Sequence, residues 1–125
     1  MFLTFFPGYG TSCCSKIKLS LKGAALNEQG RLAGIYDREN ELVNGRNLWR
    51  SQTDNDAIWF TKDMNYWSIG SYSDRGTNNG GIWSAQDSSC PNQEGMLFLH
   101  HNGHATSGDY FLAPNNTISI ECLAS

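Results

Sequence analysis

Charged residues are scarce in this sequence. They make up 17% of the 125 residues, below the quarter that is usual for a globular domain. The net charge is −3 and basic residues form no run, so the attraction to phosphates on which nucleic-acid binding depends is missing. No apolar run reaches the roughly 18 residues of a membrane-spanning helix. We therefore expect neither a nucleic-acid partner nor a membrane span.

The sequence also lacks a sustained helical periodicity, and its composition is instead rich in residues typical of strands and turns. Glycine (13), Trp (4), Tyr (5) and Phe (6) are frequent for this length. Ile17, Leu19 and Leu21 alternate with polar residues, which is the period of a half-buried strand. About eight or nine such short segments follow one another, separated by turns roughly every 8 to 12 residues. This pattern predicts an all-β fold, a single compact antiparallel sandwich or barrel with adjacent termini.

The chain divides into a short extension and one domain. Residues 13–125 carry the strand pattern and are predicted to form a single β domain. Residues 1–12 are predicted to be an N-terminal extension. It begins with the apolar stretch Met1–Gly8 but lacks the positive region of a complete signal peptide. The extension is therefore either the remnant of a signal segment or an edge strand.

Turn residues mark where the strands reverse. Asn44-Gly45 lies between strand-like segments, and both residue types tolerate the positive φ angles of a two-residue hairpin. Asn102-Gly103 gives a second hairpin signal. Asp37–Asn40 is predicted to be a charged turn, and Gly23–Gln29 a loop or a short helical turn.

Four cysteines, an even number without metal-site spacing, favour disulfides and an oxidising compartment. Neighbouring Cα atoms lie about 3.8 Å apart, which makes a bond between Cys13 and Cys14 difficult. We expect one of them to bond Cys122 and the other Cys90, tying the first strand to the last. Asn115 begins an acceptor pattern for N-glycosylation. The predicted location is extracellular or the cell surface.

A series of short motifs runs in order along the chain. It consists of Gly34-x-Tyr36, Asn44-Gly45-Arg46 followed by Trp49, Trp67-x-Ile69-Gly70, Cys90-Pro91 and a closing Cys122. The series resembles a small, cysteine-bracketed module found in extracellular multidomain proteins of marine animals and protists. The resemblance spans roughly Cys13 to Cys122. It implies a secreted, non-enzymatic module and assigns neither a ligand nor catalytic residues.

The three histidines are the candidate ligands of a transition metal. His101 and His104 flank the Asn102-Gly103 turn and are placed to meet, whereas His100 and His101 point to opposite faces of a strand. The alternative, which we favour, is that these side chains only decorate a tight turn.

Acidic and amide side chains in two loops offer oxygen ligands for calcium. They are Asp54, Asn55 and Asp56 in one loop, and Asp74, Asn78 and Asn79 in the other. Neither loop has the ligand spacing of an EF-hand, and turn formation explains the same residues. We expect no cofactor, with calcium as the alternative.

Aromatic residues are concentrated between residues 36 and 83, where core packing is their usual role. Alternation along the strands places Trp59 outward if Ile58 points inward, and Trp83 outward if Ile82 points inward. An exposed indole beside planar polar groups suits stacking on sugar rings. The predicted contact residues are Trp59, Tyr72, Asp74, Arg75 and Trp83. Burial of all four tryptophans is the alternative.

No frame for a nucleophile or for paired carboxylates is present, so an enzyme is not expected. The sequence favours a non-enzymatic extracellular module that binds a glycan or a surface protein. Two alternatives stay open. One is a self-associating building block of an extracellular coat, filament or matrix, and the other is a metal-dependent enzyme or metal-binding protein that uses the histidines.

Overall fold

The structure is a computed structural model that describes residues 13–93, 95–101, 110–114 and 117–125. These ranges leave out the predicted hairpin at Asn102-Gly103. They also leave out His104, Asn115 and the extension 1–12. The strands are β1 (Lys16–Leu21), β2 (Gly34–Val43), β3 (Arg46–Ser51), β4 (Asp56–Phe60), β5 (Trp67–Ser71), β6 (Ile82–Ser84), β7 (Phe98–His101), β8 (Tyr110–Leu112) and β9 (Ile118–Ala124). Helix α1 (Gly23–Gln29) and a 3-10 turn (Gly30–Leu32) join β1 to β2, and a second 3-10 turn (Tyr72–Asp74) follows β5.

All nine strands belong to one antiparallel sheet. Their order is β8-β7-β6-β5-β4-β3-β2-β1-β9, so each strand from β1 to β8 lies beside the next, and only β9 returns to pair with β1. The sheet curls into a half-barrel. The predicted all-β fold with adjacent termini is therefore confirmed, and of the two predicted forms the curled sheet corresponds to an open barrel.

The main core fills the concave side of the sheet. Ile17, Leu19 and Leu21 of β1 are buried there, as the period-two pattern predicts. Trp49 and Trp67 also point inward, and their rings meet edge to face with centroids 5.8 Å apart. Each large aromatic side chain buries about 150–250 Å², so this group supplies much of the hydrophobic stabilisation.

Helix α1 lies against the concave side and contacts the far strand β7. Ala25 of the helix and Leu32 of the following turn are buried in the main core. Gln29 donates a hydrogen bond from Nε2 to the backbone carbonyl of His101, over 3.1 Å. The segment between β1 and β2 therefore links two distant parts of the curled sheet.

The Asn44-Gly45 hairpin is confirmed, with φ angles of 54° and 83°. These are the positive angles that a tight turn between β2 and β3 requires. The predicted charged turn at Asp37–Asn40 is wrong, because these residues continue β2, with Asp37 opposite Arg50. The pairing register shifts between Arg38 and Leu42, and this irregular, charged stretch of strand has the composition of a turn.

Two disulfides join the neighbouring residues Cys13 and Cys14 to two later segments. Cys13 bonds Cys90 and Cys14 bonds Cys122, across sequence separations of 77 and 108 residues. The predicted pattern, one bond to each distant cysteine, is confirmed. Beside these bonds, the Ser15 amide donates to the carbonyl of Ala124 over 2.9 Å, so the first and last strands are held by both covalent and hydrogen bonds.

Removing the longer disulfide is expected to destabilise the fold strongly. Replacing Cys14 and Cys122 together by serine frees a loop of more than a hundred residues in the unfolded chain. The expected loss is about 2–5 kcal/mol of unfolding free energy. Guanidinium denaturation of the double variant measures it, with the exposed Ser119→Ala variant as the control. An unchanged midpoint, or free thiols in native protein, would contradict this role.

A second prediction concerns the ion pair between Arg31 and Asp56. The guanidinium donates from Nη2 and Nε to the two carboxylate oxygens over 2.9 and 3.3 Å. Asp56 is 3% exposed, so Arg31→Ala leaves a buried acceptor without its partner. The expected cost is about 1–3 kcal/mol. The double variant with Asp56→Asn should lose less than the sum of the two single losses. Additive losses in thermal unfolding would show that the pair does not couple.

Candidate binding face on the convex side of the sheet

The segment 72–81, which joins β5 to β6, lies on the convex side of the sheet and covers Trp59. The indole Nε1 of Trp59 donates to the carbonyl of Thr77 over 2.8 Å. A Cβ atom at Gly70 would lie 2.9 Å from the Cα of Gly80 and 3.4 Å from the Trp59 ring. Glycine at position 70 is therefore what lets the segment approach the strand so closely.

The predicted exposure of Trp59 is wrong. The side chain points to the convex side, as the alternation with Ile58 predicts, but it is fully buried with Leu48 and Ala57. The covering segment 72–81 produces this burial. Trp59 is thus the floor beneath the predicted contact residues, and its ring does not reach solvent.

Tyr72 and Arg75 belong to a charged network at one end of this segment. The guanidinium groups of Arg50 and Arg75 lie 3.9 and 4.2 Å from the centre of the Tyr72 ring. The Tyr72 hydroxyl donates to the Glu39 carboxylate over 3.1 Å, and Arg75 lies 3.7 Å from the Glu41 carboxylate. Partial desolvation, together with Glu39, raises the pKa of Tyr72. The ring already contacts two cations and is not an open stacking platform.

Asp74 shapes the segment through its backbone. Its carbonyl accepts hydrogen bonds from the amide and from the hydroxyl of Thr77, over 3.1 and 2.7 Å. These two bonds reverse the chain and place the Thr77 carbonyl over Trp59. The structure thus brings Tyr72, Asp74 and Arg75 together on the convex side, above the tryptophan that they were predicted to accompany.

Trp83 is the one tryptophan that keeps part of its surface accessible. It lies opposite Ser68 of β5, is half-buried, and its ring contacts that of Tyr66 with centroids 5.4 Å apart. A Cβ atom at Gly80 would lie 1.9 Å from the Ser68 hydroxyl oxygen. The end of segment 72–81, including the exposed Asn79, therefore borders the strand position beside Trp83.

An apolar row continues from Trp83 to the edge of the sheet. Trp83 lies directly opposite Leu99 of β7, which in turn lies opposite Leu112 of β8. Directly opposite residues of antiparallel strands share a face, so all three side chains lie on the convex side. Leu99 is half-buried, whereas Leu112 is 60% exposed. We call these three residues the apolar row.

Sequence reasoning missed Leu99, Leu112 and Arg50 as members of this face. Leu99 lies in the continuous apolar stretch Met96–His100, which does not reveal which side chains point outward. Arg50 reaches Tyr72 only because segment 72–81 folds back over β3 and β4. The row is revealed by the cross-strand pairing of Trp83 with Leu99, which only the strand register shows.

The two described histidines point to opposite faces of β7, and His101 shares the face of Leu99. His100 and His101 are 3% and 5% exposed, and His100 contacts the Phe111 ring at 6.0 Å between centroids. The predicted partner of His101 in a metal site, His104, lies outside the described residues. Within those ranges, His, Cys, Asp and Glu form no group of three that could hold a metal ion. The metal interpretation therefore stays a prediction.

The first candidate calcium loop is engaged in other contacts. Both carboxylate oxygens of Asp56 accept hydrogen bonds from Arg31, and the amide oxygen of Asn55 accepts one from Arg50 over 2.8 Å. Asp54 receives a hydrogen bond from Thr53 through its carboxylate. These contacts fit the turn-forming explanation of the loop.

The comparisons with known proteins add no relative. No family model matches the chain, and neither the curated proteins nor the solved structures contain a match. The resemblance to cysteine-bracketed extracellular modules therefore stays a prediction. Across the ranges that the structure describes, no helix is long and apolar enough to cross a membrane.

Proposed function

We propose that this chain is a non-enzymatic extracellular module that binds a partner protein through the apolar row and the charged network beside it. The observation that carries the proposal is the cross-strand alignment of Trp83, Leu99 and Leu112 on the convex side, with exposure rising to 60% at the edge strand. Clustered apolar exposure of this kind marks interaction sites more often than single exposed residues do.

The composition of the face supports a protein as the ligand. Tryptophan, tyrosine and arginine are the residue types that dominate binding energy at protein interfaces. Here the row begins at Trp83, and Tyr72, Arg50 and Arg75 lie farther along the convex side. Glu39 and Glu41 pair with this network, so both charge signs are present, as in the polar rim around an apolar interface centre.

A glycan is less well supported than a protein. A sugar site needs an open aromatic ring with free planar polar groups beside it, yet Trp59 is buried and Tyr72 contacts two guanidinium groups. Trp83 with the neighbouring Asn79 is the remaining combination. Sugar binding is accordingly an alternative outcome of the experiments below.

The extracellular location rests on the two disulfides. Such bonds persist in oxidising compartments and are rare in the reducing cytosol. Both bonds span long loops and tie the ends of the described chain together, which is the use expected of structural disulfides.

Self-association is the second candidate function, and the sheet topology favours it. Strands β8 and β9 stand at the two ends of the strand order. Each therefore leaves one edge unpaired within the described part of the chain. Unpaired edges are templates for pairing with another chain. Sedimentation at increasing protein concentration separates this candidate from the first, because only self-association raises the mass of the purified protein.

Tryptophan fluorescence gives a test that needs no partner. Trp49, Trp59 and Trp67 are at most 1% exposed, so acrylamide should quench mainly Trp83. We expect Trp83→Phe to remove most of the quenchable emission, whereas Trp59→Phe should lower the total intensity, leave the quenchable intensity unchanged and so raise the quenchable fraction. Equal quenching of wild type and Trp83→Phe would show that Trp83 is not accessible and would remove the basis of the proposed face.

Binding itself is tested on arrays of purified extracellular proteins and, in parallel, of glycans. We expect a protein ligand whose affinity falls about tenfold or more in Trp83→Ala and Leu112→Ser. Leu26→Ser is the matched control, because Leu26 is 47% exposed on helix α1, away from the row. Binding to glycans alone would replace the protein proposal by the sugar alternative. An equal loss of affinity in Leu26→Ser, or the absence of any ligand on either array, would contradict both the protein proposal and the sugar alternative.

A further inference from the structure

A groove runs along the outer edge of β9, on the opposite side of that strand from β1. It has a volume of about 680 Å³. One wall is Ile118–Cys122 of β9, and the other is formed by residues 91–93 and 95–98, which lead into β7. The apolar side chains of Met96, Phe98, Ala113, Ile118 and Ile120 line it. The groove marks the place where the half-barrel is open.

Within the part of the chain that the structure describes, β9 has backbone polar groups without a partner along its open edge. The amide of Lys22 donates to the carbonyl of Thr117 over 2.8 Å, which makes that pair a hydrogen-bonded one. Hydrogen-bonded and non-hydrogen-bonded pairs alternate in an antiparallel ladder, so Ser119 and Glu121 also bond β1. The amides and carbonyls of Ile118 and Ile120 consequently point away from β1, along the open edge.

The opposite wall also directs backbone polar groups toward the groove. The carbonyl of Leu97 accepts from the amide of Ala85 over 2.7 Å, and its own amide donates to the side chain of Gln86 over 2.9 Å. Both polar groups of Leu97 therefore point toward the β6 side. In an extended chain, the backbone amide and carbonyl of adjacent residues point to opposite sides. The amide and carbonyl of Met96 therefore point toward the groove. The short stretch Met96–Phe98 that leads into β7 thus faces β9 across the groove, and the rest of this wall is formed by turns.

One side chain in the wall of the groove has a buried oxygen atom without a partner in the described part of the chain. Asn92 lines the wall, and its Oδ1 is buried without a hydrogen-bond partner among the residues that the structure describes. Its Nδ2 lies 3.8 Å from the sulfur of Cys14. A buried acceptor without a donor costs about 1–3 kcal/mol. Because this oxygen is shielded from solvent, the cost belongs to the wall of the groove in the free protein.

We propose that the groove receives an extended peptide segment of a partner protein, which adds a strand beside β9 and closes the barrel. Strand addition uses backbone hydrogen bonds for affinity and pockets for alternate side chains for specificity. The five residues Ile118–Cys122 span about 13 Å, so roughly five peptide residues fit. Small apolar side chains at alternate positions would contact Ile118, Ile120 and Phe98.

The two walls favour a single strand over a second folded copy. The edge of another sheet would carry its neighbouring strand into the wall formed by residues 91–93 and 95–98, whereas one extended chain occupies only the space beside β9. This site is separate from the apolar row, which lies on the convex side around β6 to β8. It therefore stands or falls independently of the function proposed above.

Amide hydrogen exchange measured by NMR on the full chain tests the proposal. In the free protein, the amides of Ile118 and Ile120 should exchange much faster than those of Ser119 and Glu121. The probe is the peptide acetyl-Thr-Val-Thr-Val-Thr-Val-Thr-amide. We expect the peptide to slow hydrogen exchange at the Ile118 and Ile120 amides about tenfold or more, with little change in exchange at Ser119 and Glu121. The same peptide N-methylated at its three valines lacks the donors along one edge and should have no such effect.

A pair of variants tests whether the peptide binds through the backbone of β9. Ile120→Pro removes an outward amide without removing a bond to β1 and should weaken peptide binding about tenfold or more, whereas Ile120→Val should bind like the wild type. If Ile120→Pro fails to fold, the methylated peptide still decides the question.

Three outcomes would overturn the proposal. The first is equal action of both peptides, and the second is no effect of the unmethylated one at millimolar concentration. The third is protection of Ile118 and Ile120 in the free protein already. Protection independent of concentration would mean that the chain fills its own groove, and protection that grows with concentration would mean that a second copy does.

Discussion

The fold depends on two covalent bonds that begin at neighbouring residues. Cys13 and Cys14 reach Cys90 and Cys122, which lie on the two sides of the opening in the half-barrel. Besides these bonds, the last strand is held by its pairing with β1 and by the burial of Ile118 in the main core. Because one short stretch of chain holds both sides, the bonds limit how far the sheet can uncurl. The same geometry sets the shape of the groove beside β9.

Local sequence signals predicted what depends on local geometry. Asn44-Gly45 identified a hairpin because few other residue pairs tolerate two positive φ angles, and the alternation in β1 identified which side chains enter the core. The cysteine pattern predicted one bond to Cys90 and one to Cys122, because adjacent cysteines rarely bond each other, but it left open which of Cys13 and Cys14 forms each bond. In each case the physical cause operates within a few residues, or within covalent reach, and the sequence displays it directly.

Contacts between distant segments were not predictable in this way. Period two correctly placed Trp59 on the convex side but carried no information about the segment that covers it. That covering depends on Gly70 and Gly80, which lie ten residues apart and allow two backbones to approach. Likewise, the charged stretch at Asp37–Asn40 was taken for a turn because its role as an irregular part of β2 depends on pairing with β3. The apolar row emerged only once the strand register was known.

The bond between Cys14 and Cys122 has a mechanical consequence. Because it bridges a sequence separation of 108 residues, a pull applied to the chain on the outer flanks of these two cysteines passes through one sulfur–sulfur link and bypasses nearly every strand. The sheet between them carries almost none of the load. Tension would therefore not unravel the module or alter either of its candidate surfaces until that covalent link is reduced, so its response to force is controlled by redox chemistry and not by hydrogen bonding.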